Sequence, residues 1–174
     1  GRAGPVRHQV VVVQVHAPCA DLGEQLHGFD GRQHGTDLGA ERIGHGIAAA
    51  KDPALMSHLA TEGITLEVCP TSNVRTRSVP SLAEHPLPQL VAAGVPVTIN
   101  SDDPPMFSTT LNDEYLVAAR LLDLDTHGVA DLARAAITAS FMADERKKDL
   151  LDEVDAYERR FRGSRVASDP TDGE

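Results

Sequence analysis

From residue 37 onward, two kinds of apolar spacing alternate along the chain. Short β-branched runs give way to longer stretches with apolar residues at helical intervals, the pattern of successive βα units. The first helical stretch is well punctuated: Asp52 stands at an N-cap position, Pro53 at the first helical residue, Leu55, Met56 and Leu59 share one face, and Gly63 supplies a stop. Residues 64–69 then read as a buried strand. Residues 70–83, rich in Pro, Ser, Thr and Arg, read as a loop long enough to belong to a binding site. A helix over 86–93 is stopped by Gly94, and a second strand over 95–100 ends abruptly in Ser101-Asp102-Asp103-Pro104. Three further helices are predicted over 112–124, 129–141 and 144–161, with polar residues 163–174 as a disordered tail. Residues 1–36 show neither period clearly, apart from an apolar run at 10–15, and are left unassigned.

Composition narrows the class. The 174 residues, 41% hydrophobic and 24% charged, fit an ordinary globular domain that needs no metal or disulfide merely to fold. A net charge of −10 repels a phosphate backbone, so no nucleic acid polymer is expected as a partner. Cys19 and Cys69 have no CxxC spacing, which favours a reducing, cytoplasmic setting and two packed thiols. Apolar runs fall far below the roughly 20 residues of a membrane span, so no membrane partner is expected either.

Parallel βα units gather functional groups at the C-terminal ends of their strands. Three clusters fall there: Gly44-His45-Gly46, Pro70-Thr71-Ser72-Asn73 and Ser101-Asp102-Asp103-Pro104. Adjacent aspartates leaving a strand point in opposite directions and can do two jobs, one of them holding a divalent cation. The alternative is an Asx-turn before Pro104. His45, with glycines on both sides leaving room for a ligand, is a candidate imidazole or a structural turn histidine. Residues 70–73 read as a turn in which Ser72 and Asn73 satisfy local backbone groups. His85 is expected to orient the start of the next helix, and His58 and His127 to lie on the surface. His8, His16, His27 and His34 lack the spacing at which two imidazoles meet one metal.

Taken in order, Glu41-Arg42-Ile43-Gly44-His45-Gly46, Leu66-Glu67-Val68-Cys69-Pro70-Thr71-Ser72-Asn73, His85-Pro86-Leu87, Thr98 through Phe107 and Leu111-Asn112-Asp113-Glu114-Tyr115 resemble the adenosine deaminase family. The resemblance runs from about Asp37 to Tyr157 and defines a partial barrel domain over 37–162. It implies an α/β metal-dependent hydrolase on a (β/α)8 TIM barrel, in which one bound Zn2+ activates the water that displaces the amino group of a purine nucleoside. By the same resemblance His45 orients the attacking hydroxide, Asp102 is a zinc ligand that also faces it, and Asp103 holds a purine ring nitrogen.

Two family motifs are missing: the HxH pair of the first strand, and the His-Ala-x-Glu that precedes Arg-Ile-Gly-His-Gly, for which His16-Ala17-Pro18-Cys19 is no substitute. A (β/α)8 barrel typically takes ~250 residues. The resembling stretch therefore corresponds to the last three strand positions, an incomplete barrel followed by C-terminal helices. The expectation is a deaminase of adenosine or a related nucleoside, impaired by a front lost through truncation or a shifted frame. Alternatives are a deaminase of adenine or aminodeoxyfutalosine, and a catalytically inactive remnant or complementing subunit. An open edge strand and an apolar inner face would favour self-association.

Overall fold

A computed structural model describes residues 40–166, with side chains to residue 161. The unassigned segment over 1–36, its histidines, Cys19 and the end of the expected tail lie outside the described residues.

Three short strands, β1 (Arg42–Gly44), β2 (Thr65–Val68) and β3 (Val97–Ile99), form a parallel sheet in the order β1-β2-β3. Parallel strands require crossovers, and each here is helical. Helix α1 (Pro53–Glu62) links β1 to β2 after a 3-10 turn at Ile47–Lys51. Helices α2 (Pro70–Arg75) and α3 (Leu87–Ala92) lie between β2 and β3. The chain then continues through α4 (Pro104–Phe107), α5 (Leu111–Leu121), α6 (Thr126–Ala139) and α7 (Asp144–Val166).

Local chemistry accounts for the boundaries. Asp52 Oδ1 accepts from the backbone N–H groups of Ala54 and Leu55 at 2.9 and 3.1 Å, and Gly63 ends α1 at φ +68°, where a glycine carries no Cβ penalty. Thr110 and Asp113 form a reciprocal capping box at the start of α5. α7 runs to Val166, into the stretch expected as a tail. The stretch over 70–83 departs from the expected loop by opening with α2. Pro70 is pre-set for the first helical position, and Glu114 of α5 accepts from the Thr71 N–H at 3.0 Å.

Register determines the two faces of the sheet. Ile43, Leu66 and Val97 lie side by side, as do Val68 and Ile99, and side chains alternate along each strand. These residues form one face and pack with Met56, Leu59, Leu87, Leu90, Ala118 and Leu132 of the helices into a single core. Leu66, Val68, Leu87 and Leu90 have no exposed surface. The other face carries Arg42, Thr65, Glu67 and Thr98. The expected apolar inner face is therefore corrected. Arg42 Nε lies 3.3 Å from Glu67 Oε1, and the Arg42 guanidinium sits 4.0 Å from the centre of the Phe141 ring. Charge pairing and a cation–π contact stand where apolar packing was expected.

Arg134 of α6 joins α7 through Asp155 and Glu158, each at 2.6 Å. His127, exposed as expected, meets Glu158 at 2.8 Å. No described helix is long and apolar enough to cross a membrane.

Gly46 also departs from its expected role. It does not leave space for a ligand. A Cβ there would come within 2.5 Å of Leu66 Cδ2, and the backbone is at φ +64°. The position is filled by the core itself. Gly46→Ala is expected to cost about 2–3 kcal/mol, through overpacking and the left-handed backbone together. Urea denaturation would read this as a lower midpoint with an unchanged slope.

Candidate active site

The site is assembled where the three strands end. The His45 N–H donates to Glu67 C=O at 3.0 Å and the Asn100 N–H to Val68 C=O at 2.9 Å, so both flanking strands stay paired to β2 one residue past their ends. The backbone then turns sharply. His45 and Asp102 adopt φ +55° and +57°, in the left-handed region that non-glycine residues occupy at a cost of about 1–2 kcal/mol. The two turns bring side chains from β1 and β3 together over the end of β2, with His45 Nε2 3.6 Å from Asp102 Oδ2. That separation is an electrostatic contact rather than a hydrogen bond. Each side chain keeps about a fifth or less of its surface, 21% and 16%.

Helix α2 supplies the supporting groups. The Ser72 hydroxyl donates to Asp102 Oδ2 at 2.7 Å, and Asn73 Nδ2 lies 3.1 Å from His45 Nδ1. Asn73 Oδ1 in turn lies 3.1 Å from His85 Nε2, while His85 Nδ1 accepts from the Leu87 N–H at 3.1 Å. His85 thus orients the start of its helix, as the sequence predicts, and also reaches the site. Burial pushes its pKa below the ordinary histidine value, only partly opposed by the nearby Glu114 charge, so the ring stays neutral at pH 7. Ser72 and Asn73, read from sequence as local turn residues, bond instead to Asp102, His45 and His85. Their position at the C-terminal end of β2 was the signal.

Asp103 has a different role from Asp102. Its Oδ1 accepts from the Met106 N–H at 3.0 Å and caps α4, so the turn-forming alternative describes this residue, whose carboxylate is exposed. Glu114 was not singled out by sequence. It is fully buried, takes the Thr109 hydroxyl at 2.5 Å as well as Thr71 N–H, and pins α2 in place. Ala118, four residues on and also fully buried, marks the same inward stripe.

Gly44, His45, Glu67, Cys69, Asn100, Ser101, Asp102 and Leu111 line a cavity of about 390 Å3, within the range of small-molecule sites. A larger cleft of about 970 Å3 opens at the opposite ends of the strands, beside Arg42, half-buried His58, Thr65 and Val97. The smaller cavity is the candidate because it holds the strained residues and the convergent polar groups.

Among the described residues, no group of three or more His, Cys, Asp or Glu side chains is gathered to hold a metal ion. A zinc site needs at least three protein ligands. Cys69 does not add one: its Sγ lies 3.6 Å from the Glu67 carbonyl, and burial, with the Asp102, Glu114 and Glu67 charges, pushes its pKa up to about 12. The described residues therefore do not fit a complete zinc centre. In a Cys19→Ser background, the Cys69 thiol is expected to resist a disulfide reagent at pH 8 until the chain unfolds. A thiol held protonated favours the folded state below its ordinary pKa of 9.0, and that contribution is lost as pH rises toward about 12.

A family model described as adenosine deaminase matches residues 32–157. An aminodeoxyfutalosine deaminase of Streptomyces coelicolor is 61% identical over 121 residues, which make up 70% of this chain and 31% of that relative. An adenosine deaminase of Serratia proteamaculans is 43% identical over 118 residues, 68% of this chain and 36% of that one. Among solved structures, an adenine deaminase from Arthrobacter aurescens superposes with a TM-score of 0.69 at 40% identity, covering 74% of this chain and 39% of its own. The chain spans about a third of the length of the curated relatives it matches.

Proposed function

The chain belongs to the adenosine deaminase family, and from that premise we propose that His45, Asp102 and Asp103 form part of a site for hydrolytic deamination of a 6-amino purine. In this reaction a water oxygen adds to the ring carbon bearing the amine, and ammonia leaves. Nε2–H of His45 orients and stabilises the incoming oxygen. Asp102 faces the same oxygen and accepts from it. Asp103, with Oδ1 committed to the cap of α4, has Oδ2 to share a proton with a purine ring nitrogen, since the carboxylate and the ring nitrogen are both otherwise acceptors. The observation that carries this reading is the approach of His45 to Asp102 at the C-terminal rim of adjacent parallel strands, 3.6 Å apart.

Asp102 is also the proposed zinc ligand. A complete metal site on this reading requires ligands from beyond the described residues. The substrate we favour is aminodeoxyfutalosine, supported by the 61% identity to a deaminase of that name, with adenosine and adenine as rivals.

The test is ammonia release by the purified chain, supplied with zinc, from aminodeoxyfutalosine, adenosine and adenine separately. Fastest release from aminodeoxyfutalosine supports the full proposal. Faster release from adenosine or adenine moves the substrate and keeps the chemistry. A folded chain that releases none from any of the three overturns the activity, leaving the inactive remnant or complementing subunit.

A further inference from the structure

A single backbone N–H fixes the proton positions across the site. Leu87 N–H donates to His85 Nδ1 at 3.1 Å, so that nitrogen carries a lone pair and the neutral His85 ring has its proton on Nε2. This Nε2–H, 3.1 Å from Asn73, needs an acceptor and therefore faces the amide oxygen. The Asn73 amide is thereby oriented with its NH2 toward His45, 3.1 Å from Nδ1. His45 Nδ1 must then accept, which leaves the neutral His45 ring with its proton on Nε2, facing Asp102. Every assignment follows from the one before it. His85 and Asn73 are 4% and 3% exposed, so water does not readily supply replacement partners.

We propose that His85 and Asn73 are positioning residues that select the Nε2–H form of His45 and aim this N–H at Asp102 and the cavity. The proposal rests on His45 and Asp102 being site residues, but the proton position itself is a property of the unliganded chain. Neither positioning residue lines the cavity, and both act through His45. The arrangement resembles the outer hydrogen bonds that fix imidazole tautomers in other active sites.

The experiment is long-range 1H–15N correlation NMR on the full chain with 15N-labelled histidine, His45 being assigned by its loss in His45→Gln. In the native chain the His45 Nδ1 resonance is expected in the unprotonated range and Nε2 in the N–H range. His85→Phe removes the donor to Asn73, and the two well-separated His45 resonances are expected to move toward each other. His85→Gln, whose amide can donate to Asn73 Oδ1, is expected to restore their separation. Asn73→Asp provides a second route if His85→Phe fails to fold: a carboxylate cannot donate to Nδ1, so the Nδ1 position is expected to gain the proton.

A native His45 protonated on Nδ1 would overturn the relay, and so would unchanged His45 resonances in a folded His85→Phe or Asn73→Asp chain. Because no substrate is present, loss of the relay and loss of the deaminase reading are separate outcomes. A chain with the expected His45 signals and no ammonia release would retain the first and lose the second.

Discussion

Asp102→Asn is expected to lower ammonia release by about 10^3-fold or more while changing the folding free energy by less than about 1 kcal/mol. Removing a charged group that faces the reacting oxygen costs rate on this scale. The fold is spared for two reasons. Asparagine shares with aspartate the ability to adopt φ +57°, and its side-chain oxygen can still take the Ser72 hydroxyl bond now 2.7 Å from Asp102. Initial rates and a urea titration on the same preparation separate the two effects. Equal rates for the two proteins would remove Asp102 from the site. Asp103→Asn keeps the α4 cap through its side-chain oxygen and can still donate to a ring nitrogen through its amide, so a small effect confined to KM is expected.

Glu114→Ala is expected to cost about 3–4 kcal/mol of stability, the largest loss from any single polar side chain here. The carboxylate has no exposed surface, and its removal leaves the Thr71 N–H without its acceptor and the Thr109 hydroxyl with only the long contact to the Thr110 carbonyl at 3.4 Å. It also joins residues 43 positions apart, so the lost bonds loosen α2 against α5. Since α2 carries Ser72 and Asn73, activity should fall with stability. Glu114→Gln retains a side-chain carbonyl acceptor and is expected to lose less than half as much. A urea midpoint for Glu114→Ala within about 0.5 kcal/mol of the native protein would contradict this account.

Much of the fold was legible because its determinants are local. Asp52, Pro53 and Gly63 bound α1 by capping chemistry alone, and the β-branched runs locate β2 and β3, whereas β1, three residues with one β-branched side chain, carries no such run. The three clusters at strand ends follow from βα topology, which is why the approach of His45 to Asp102 could be anticipated. What escaped depends on contacts distant in sequence. Gly46 looks like a ligand-facing glycine until Leu66, twenty residues on, is seen to fill its side. Ser72 and Asn73 have the composition of a turn, and only the fold shows that they reach Asp102, His45 and His85. Glu114 reads as an ordinary acidic residue in the first turn of a helix, because its partners Thr71 and Thr109 are fixed by tertiary structure. The polar face of the sheet is hidden from the sequence for a related reason. Alternation marks two faces along a strand but does not say that Arg42 will find Glu67 and Phe141 in place of an apolar layer.

The backbone at His45 and Asp102 carries one more implication. Both positions hold a conformation that glycine would adopt without penalty, so evolution toward heat tolerance alone would press on the very residues proposed to do the chemistry. A library screened only for survival at elevated temperature should drift toward glycine at 45 and toward glycine or asparagine at 102, giving hardier proteins with a vacated rim. Retention of imidazole and carboxylate at these two places would then be a mark of selection for turnover.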